Sequence, residues 1–248
     1  NDQLKLNMAT GNQACVQCHK SLEDEAALAA HTHHAATSSG SNCYNCHMSY
    51  TTYGLVKAIR SHQIDSPDVS TSLMTGRPNA CNQCHLNQTL EWSASHLSDW
   101  YDIVPPELSE EEQTIAASVL WLLRGDAGQR ALMAWSYGWP DAQEASGTAW
   151  MAPYLAQLLV DPYDAVRLIA HRSLRTIDQY GSIFYDYVGA EKARETARAT
   201  VLKRWQRRDA TQESSGSAVL IDANGELMEE VFVPLFHQRD DREIGLRE

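Results

Sequence analysis

Three copies of one pentad constrain this chain more than any other feature: Cys15-Val16-Gln17-Cys18-His19, Cys43-Tyr44-Asn45-Cys46-His47 and Cys81-Asn82-Gln83-Cys84-His85. Two thiols at i and i+3 lie on one side of a helical turn. The next residue, a histidine, directs its imidazole to that same side. Cys-x-x-Cys-His is the pattern that holds a porphyrin through two thioethers, with the histidine on its iron. Zinc also takes Cys-x-x-Cys pairs, but zinc ribbons use them in even number and need no histidine after every second cysteine. All six cysteines are consumed in the pentads. The sequence therefore predicts three covalent c-type haems, attached at Cys15, Cys18, Cys43, Cys46, Cys81 and Cys84. His19, His47 and His85 are the proximal iron ligands.

The spacing sets the architecture around them. Only 23 residues separate His19 from Cys43, and 33 separate His47 from Cys81. Segments so short cannot each wrap a porphyrin, so the haems must pack together inside one thin shell, as a conducting chain requires. With three Phe in 248 residues, the chain is short of large apolar side chains for one core, and haem surface would supply the deficit. The expected fold is mainly α: a haem-packed module with little regular structure at 1–105, a helical region at 106–210, and a linker and tail at 211–248. The boundary is drawn at Pro105-Pro106.

Charge and hydropathy limit the partners. The formal net charge of −12 argues against nucleic acid, whose binding proteins need a basic face. It suits a basic redox partner drawn in by long-range attraction, although acidity also serves simply to keep an exported protein in solution. No apolar run is long enough to span a bilayer. Covalent haem attachment takes place outside the bacterial cytoplasmic membrane, which places the mature chain in the periplasm or beyond. Starting at Asn1, the sequence reads as processed or short at its N-terminus.

Seven histidines remain for the far side of each iron: His31, His33, His34, His62, His96, His171 and His237. The stretch Leu22 to Ala36 is rich in good helix formers. On such a helix His31 and His34 share a face and could reach two neighbouring irons, while His33 points elsewhere. His62 follows the short amphipathic stretch Leu55 to Arg60 and precedes Ser66-Pro67, which suits a ligand fixed at an element's end. His96, eleven residues after His85, competes with it for the third iron, and Met74 is a weaker candidate. Met48, adjoining His47, reads as packing. His171 and His237 sit far along the chain on helical segments, where a lone histidine is more often structural.

Several runs carry a family resemblance: His31-Thr32-His33-His34, Ser38-x-Gly40-Ser41-x-Cys43, Cys46-His47-Met48, Thr52-Tyr53-Gly54, Ser61-His62 and Pro78-Asn79-Ala80-Cys81-Asn82. From about Cys15 to Trp100 the chain resembles the doubled-CxxCH multihaem c-type cytochromes that carry a helical-repeat tail. The resemblance implies that His31, His34 and His62 are the distal ligands. Ser49 departs from it, standing where relatives usually have Pro.

Beyond Pro106, Leu108-Ser109-x-x-Glu112 predicts a capping box and a helix to about Arg124. Gly125-Asp126 should cap a second helix to about Tyr137, and a third is expected over roughly Thr148 to Val160. Asp161-Pro162 should open a fourth, to about Ile177, with Pro at its first position. Arg130 and Arg167 recur at a spacing of about 37 residues, and Asp161 to Leu174 is similar to the second helix of a HEAT repeat. A basic helix is expected from about Ala190 to Arg208, then a linker over Thr211 to Ser217. A turn at Asn224-Gly225 and a short helix interrupted near Pro234 follow. Stacked helix pairs present binding surfaces or cover the haem module.

Two functional classes follow. One is an electron carrier with three bis-histidine, low-spin haems, passing electrons to a redox partner or along neighbouring subunits of a complex or filament. The other is a multihaem oxidoreductase, or its electron-transfer subunit, acting on a small nitrogen or sulfur compound. That class needs an iron with an open position. Three unaltered motifs and ample histidines favour the carrier and no enzymatic activity.

Overall fold

The computed structural model describes residues 5–6, 9–53, 57–208 and 216–242. It is mainly helical, as expected. Two small antiparallel hairpins join Lys5–Leu6 (β1) to Ala9–Thr10 (β2), and Tyr50–Tyr53 (β3) to Lys57–Arg60 (β4). In the pentad region the helices are short: Asn12–Val16 (α1), Glu25–Thr32 (α2), Cys43–His47 (α3), Val69–Thr75 (α4) and Ala80–Cys84 (α5), followed by the longer Leu90–Tyr101 (α6). Leu55 and Gly54, expected in an amphipathic stretch and in the family pattern, lie outside the described residues. So does 211–215 of the expected linker.

The helix expected over Leu22 to Ala36 is shorter than its composition suggested. Asp24 caps the amides of Ala26 and Ala27, and His33 ends α2 in the left-handed conformation (φ 55°). His34 therefore lies beyond the helix. The prediction that His31 and His34 share one helical face is corrected: α2 carries His31, and the turn after it carries His34.

Residues 103–109 are irregular and contain the expected boundary at Pro105-Pro106. Beyond them come Glu110–Thr114 (α7), Ala117–Arg124 (α8), Ala127–Ser136 (α9), Pro140–Ser146 (α10), Ala152–Leu158 (α11), Asp164–Leu174 (α12), Glu191–Gln206 (α13) and Glu229–His237 (α14). The Ser109–Glu112 capping box is present, but the helix it opens breaks at Ile115. Ala116 and Ala117 there donate their amides to the carbonyls of Ala218 and Gln88. Asp126 caps α9 through a second box with Gln129. Pro140 opens α10 from its first turn, where its missing N–H costs nothing. Pro234 lies inside α14.

Helix α9 packs on α8 and α12, α11 on α12 and α13, and α14 on α8. Their core is closed by Tyr137, Tyr154, Leu122, Leu123, Met133, Leu155 and Leu158, all fully buried. Asp161 and Pro162 do not open α12 as expected, because α12 begins at Asp164; the Asp161 carboxylate accepts the Tyr163 amide (3.0 Å) and Arg130 Nε (2.7 Å) and Nη2 (3.2 Å), both side chains being fully buried. Arg130 also donates to the carbonyls of Gly125 and Asp240, and Arg167 to those of Asp161, Pro162 and Tyr187. The two repeated arginines thus do one job: each ties its helix to the loop before it.

The two sides of the Pro105-Pro106 stretch share a core. Tyr50 and Leu86 from the pentad side are buried with α8, α9 and α11 residues. Ser146 accepts the Leu86 amide and donates to the Cys84 carbonyl, each at 2.8 Å, and Ser118 donates to the Leu86 carbonyl. The helical region therefore backs the third pentad directly.

Candidate functional site

Each pentad is a single helical turn or close to it, fastened by local polar side chains. Asn12 bridges the first two, donating to the Ser41 carbonyl (2.7 Å) and accepting the Cys43 amide (2.9 Å). Asn79 caps α5 by accepting the Cys81 amide. Arg60, buried, donates to the Tyr44 carbonyl and to Asn45, the two intervening residues of the second pentad, and lies 3.8 Å over the Tyr50 ring. Helix α3 packs on both α1 and α5, so the second pentad adjoins both the first and the third. The Cys15 and Cys43 thiols are in hydrogen-bond contact; burial, reinforced by Cys15, pushes Cys43 up to about 11. Burial and then the Cys46 sulfur push Cys81 up to about 12, and burial raises Cys46 and Cys84 as well. All six cysteines are free of disulfides.

The imidazoles meet in pairs. His31 faces His47 with ring centroids 6.2 Å apart and planes 8° from parallel. His34 faces His85 at 5.9 Å and 29°. A histidine nitrogen binds a metal ion at about 2.0–2.1 Å, so two imidazoles sharing one metal have centroids roughly 6.2–6.4 Å apart. The His31–His47 couple matches this spacing, and the His34–His85 couple lies about 0.3 Å inside it.

The ring nitrogens are oriented for this. His34 Nδ1 lies 2.6 Å from the Thr32 carbonyl and His47 Nδ1 2.7 Å from the Asp65 carbonyl. A carbonyl only accepts, so Nδ1 carries the proton and Nε2 is left as the basic nitrogen. Burial, then the neighbouring His47, His33 and His19, lowers His31; burial, then His34 and His96, lowers His85. Lowered basicity keeps these rings neutral, the form that binds metal.

Not every expected ligand is paired. His19 and His62 are exposed, and among the described residues no imidazole stacks on either. His96 faces indoles instead of a pentad histidine. It stacks on Trp100 (4.6 Å, 9°) and meets Trp92 edge-on (4.4 Å). His33 stacks on the same Trp100 (4.0 Å, 8°). Met74 is 77% exposed on α4. His171 bonds the Ile183 carbonyl and packs on Tyr185, a structural setting.

The sequence reading missed the wall that holds these rings. Trp92, His96 and Trp100 recur every four residues on α6, a visible stripe, and Trp92 lies 4.9 Å from His85. Tyr101 donates to the His31 carbonyl. Gly40 lies flush against the His34 ring, where a Cβ would fall 2.5 Å from Cγ and 2.8 Å from Nε2.

Residues 2–86 match the family described as cytochrome c7 and related cytochrome c. The match spans the three pentads with His31, His34 and His62, so this stretch is similar to multihaem c-type cytochromes, which supports covalent haem and electron transfer. No curated protein and no solved structure matches the chain. Among the described residues, no helix is long and apolar enough to cross a membrane.

Proposed function

We propose that the chain is an electron carrier, not an enzyme, with three covalent haems joined at Cys15/Cys18, Cys43/Cys46 and Cys81/Cys84. His31 is assigned opposite His47 and His34 opposite His85, and His62 is kept as the remaining distal ligand. Each haem, when bound, supplies a one-electron ferric/ferrous couple. The chain's part is to hold both faces of each iron. Thr32 and Asp65 carbonyls fix the tautomers of His34 and His47. Trp92 packs on His85 and Tyr101 on His31, so that neither ligand can swing away. A saturated iron excludes substrate, which is what separates a carrier from a catalyst.

The observation that carries this reading is the two imidazole couples, one at the spacing for a shared metal and one about 0.3 Å inside it. The packing of α3 on both α1 and α5 supports a haem row in the order first, second, third. The helical region is HEAT-like, and through Ser146, Ser118 and the shared core it acts first as the wall behind the third pentad. Its outer surface, with the acidic net charge, serves a basic redox partner or neighbouring subunits in the periplasm or outside the cell.

Intact mass under denaturing conditions tests the stoichiometry: three covalently held haems are expected, and free thiols on any pentad would contradict it. Carbon monoxide added to the reduced protein should leave the spectrum nearly unchanged. Extensive binding would return the catalytic reading, with a small nitrogen or sulfur compound as substrate.

A further inference from the structure

Among the described residues of the pentad region, Arg60 is the one charged side chain that is buried. Strand pairing delivers it there: in the β3–β4 hairpin Arg60 stands opposite Tyr50. That hairpin is fastened to two pentads at once. On one side the Arg60 guanidinium donates to the Tyr44 carbonyl (3.1 Å) and to Asn45, the intervening residues of the second pentad. On the other, the buried Gln83 of the third pentad accepts the Tyr50 amide (3.1 Å) and donates to the Tyr50 carbonyl (2.9 Å). A fixed charge therefore sits at the junction of the second and third pentads.

Aromatic faces hold it in place. The guanidinium lies 3.8 Å from the centre of the Tyr50 ring, 4.6 Å from that of Tyr44 and 5.7 Å from that of Trp139. Arginine stays ionised at any working pH, and a buried charge is costly to keep. Fastening a hairpin does not require one, since Gln83 does the same job on the third pentad with a neutral amide. The charge is felt at both attachment sites. Burial raises the Cys46 and Cys84 thiols, and at each of them Arg60 is the group that opposes it.

We propose that Arg60 is a positioning residue for charge, which sets together the potentials of the haems joined at Cys43/Cys46 and at Cys81/Cys84. The inference rests on the haem reading of those two pentads. Reduction brings one electron to a ferric iron, so a cation fixed nearby favours the ferrous product. A unit charge about 10 Å from a redox centre, at an effective dielectric of about 20, shifts such an equilibrium roughly tenfold. The second and third haems thereby become the pair that holds electrons more readily than they would beside a neutral side chain.

The test is a spectroelectrochemical titration of the holoprotein, resolved into its three components. Arg60→Gln removes the charge and keeps an amide donor. Two components should shift about tenfold toward ferric, a fall of about 59 mV for one electron, and the third should shift less than about threefold. Arg60→Lys, titrated at pH 6, keeps the charge without the planar fork and should return both components to wild type. Potentials in Arg60→Gln that coincide with wild type, or a fall shared equally by all three haems, would overturn the proposal. So would Arg60→Lys values that match Arg60→Gln, because hydrogen bonding and not charge would then set the potentials. If Arg60→Gln holds fewer than three haems by pyridine haemochrome, Asn45→Asp takes its place. It sets a carboxylate against the guanidinium, at the loss of the bond from Asn45 to the Ser39 carbonyl, and should lower the same two potentials; unchanged values there would refute the role of charge. Wild type without haem at the second or third pentad would instead sink the reading on which the proposal rests.

Discussion

Replacing Gly40 by Ala should cost the protein one low-spin haem, and the structure sets the scale. Gly40 does not adopt a positive φ, so alanine meets no backbone obstacle. By chain entropy alone it would stabilise the fold by about 0.4–1 kcal/mol. The obstacle is His34. An alanine Cβ would stand 2.5 Å from its Cγ, about 0.9 Å short of the 3.4 Å at which ordinary contact begins, and still nearer to Cδ2. The ring has little room to yield, because Nδ1 is tied to the Thr32 carbonyl and the His34 amide to the Thr32 hydroxyl. A metal–nitrogen bond of about 2 Å does not survive a displacement approaching half its length. Overpacking of this kind costs about 1–3 kcal/mol, less than unfolds a typical domain. The G40A protein should therefore keep its haems and helical circular dichroism, show a high-spin signal, and bind about one equivalent of carbon monoxide when reduced. His34→Ala should give the same spectrum. A G40A protein that stays low-spin and inert to carbon monoxide would refute the placement of His34 as a ligand.

His31→Ala should likewise free one iron, whereas His33→Ala and His96→Ala should leave every haem low-spin; carbon monoxide titration of the three variants separates them. Asp161→Ala should destabilise by about 3–5 kcal/mol, because it leaves the Arg130 charge buried and unpaired. Guanidinium unfolding followed at 222 nm measures this, and a change under about 1 kcal/mol would mean that Asp240 and Asp241 alone satisfy Arg130. Ser146→Ala strands the Leu86 amide and should cost about 1–3 kcal/mol, seen as a lowered Tm with haem content unchanged.

The site was legible to the extent that it is written locally. The pentads are contiguous, and their cysteines and proximal histidines could be named without a fold. The same holds for the capping box at Ser109, the cap at Asp126 and the long basic helix, whose signals lie within a few residues. Distance is where legibility failed. The break at Ile115 is made by pairing of Ala116 with Ala218 and Thr89, partners no local window contains. Asp161 looked like the cap of α12 because nothing nearby showed that the helix would begin only at Asp164, with Arg130 claiming the carboxylate. His34 was placed on a helix whose end depends on His33 entering the left-handed region, which asparagine or glycine would have signalled and histidine did not. The Trp92, His96 and Trp100 stripe was readable in spacing, but its meaning depended on His33 and His85 arriving from elsewhere in the chain.

Anomalous diffraction at the iron edge tests the central assignment most directly. Three iron positions are predicted, one midway between the His31 and His47 rings and one midway between His34 and His85, each about 3 Å from both centroids. Irons absent, or displaced so that either couple does not bracket one, would contradict it.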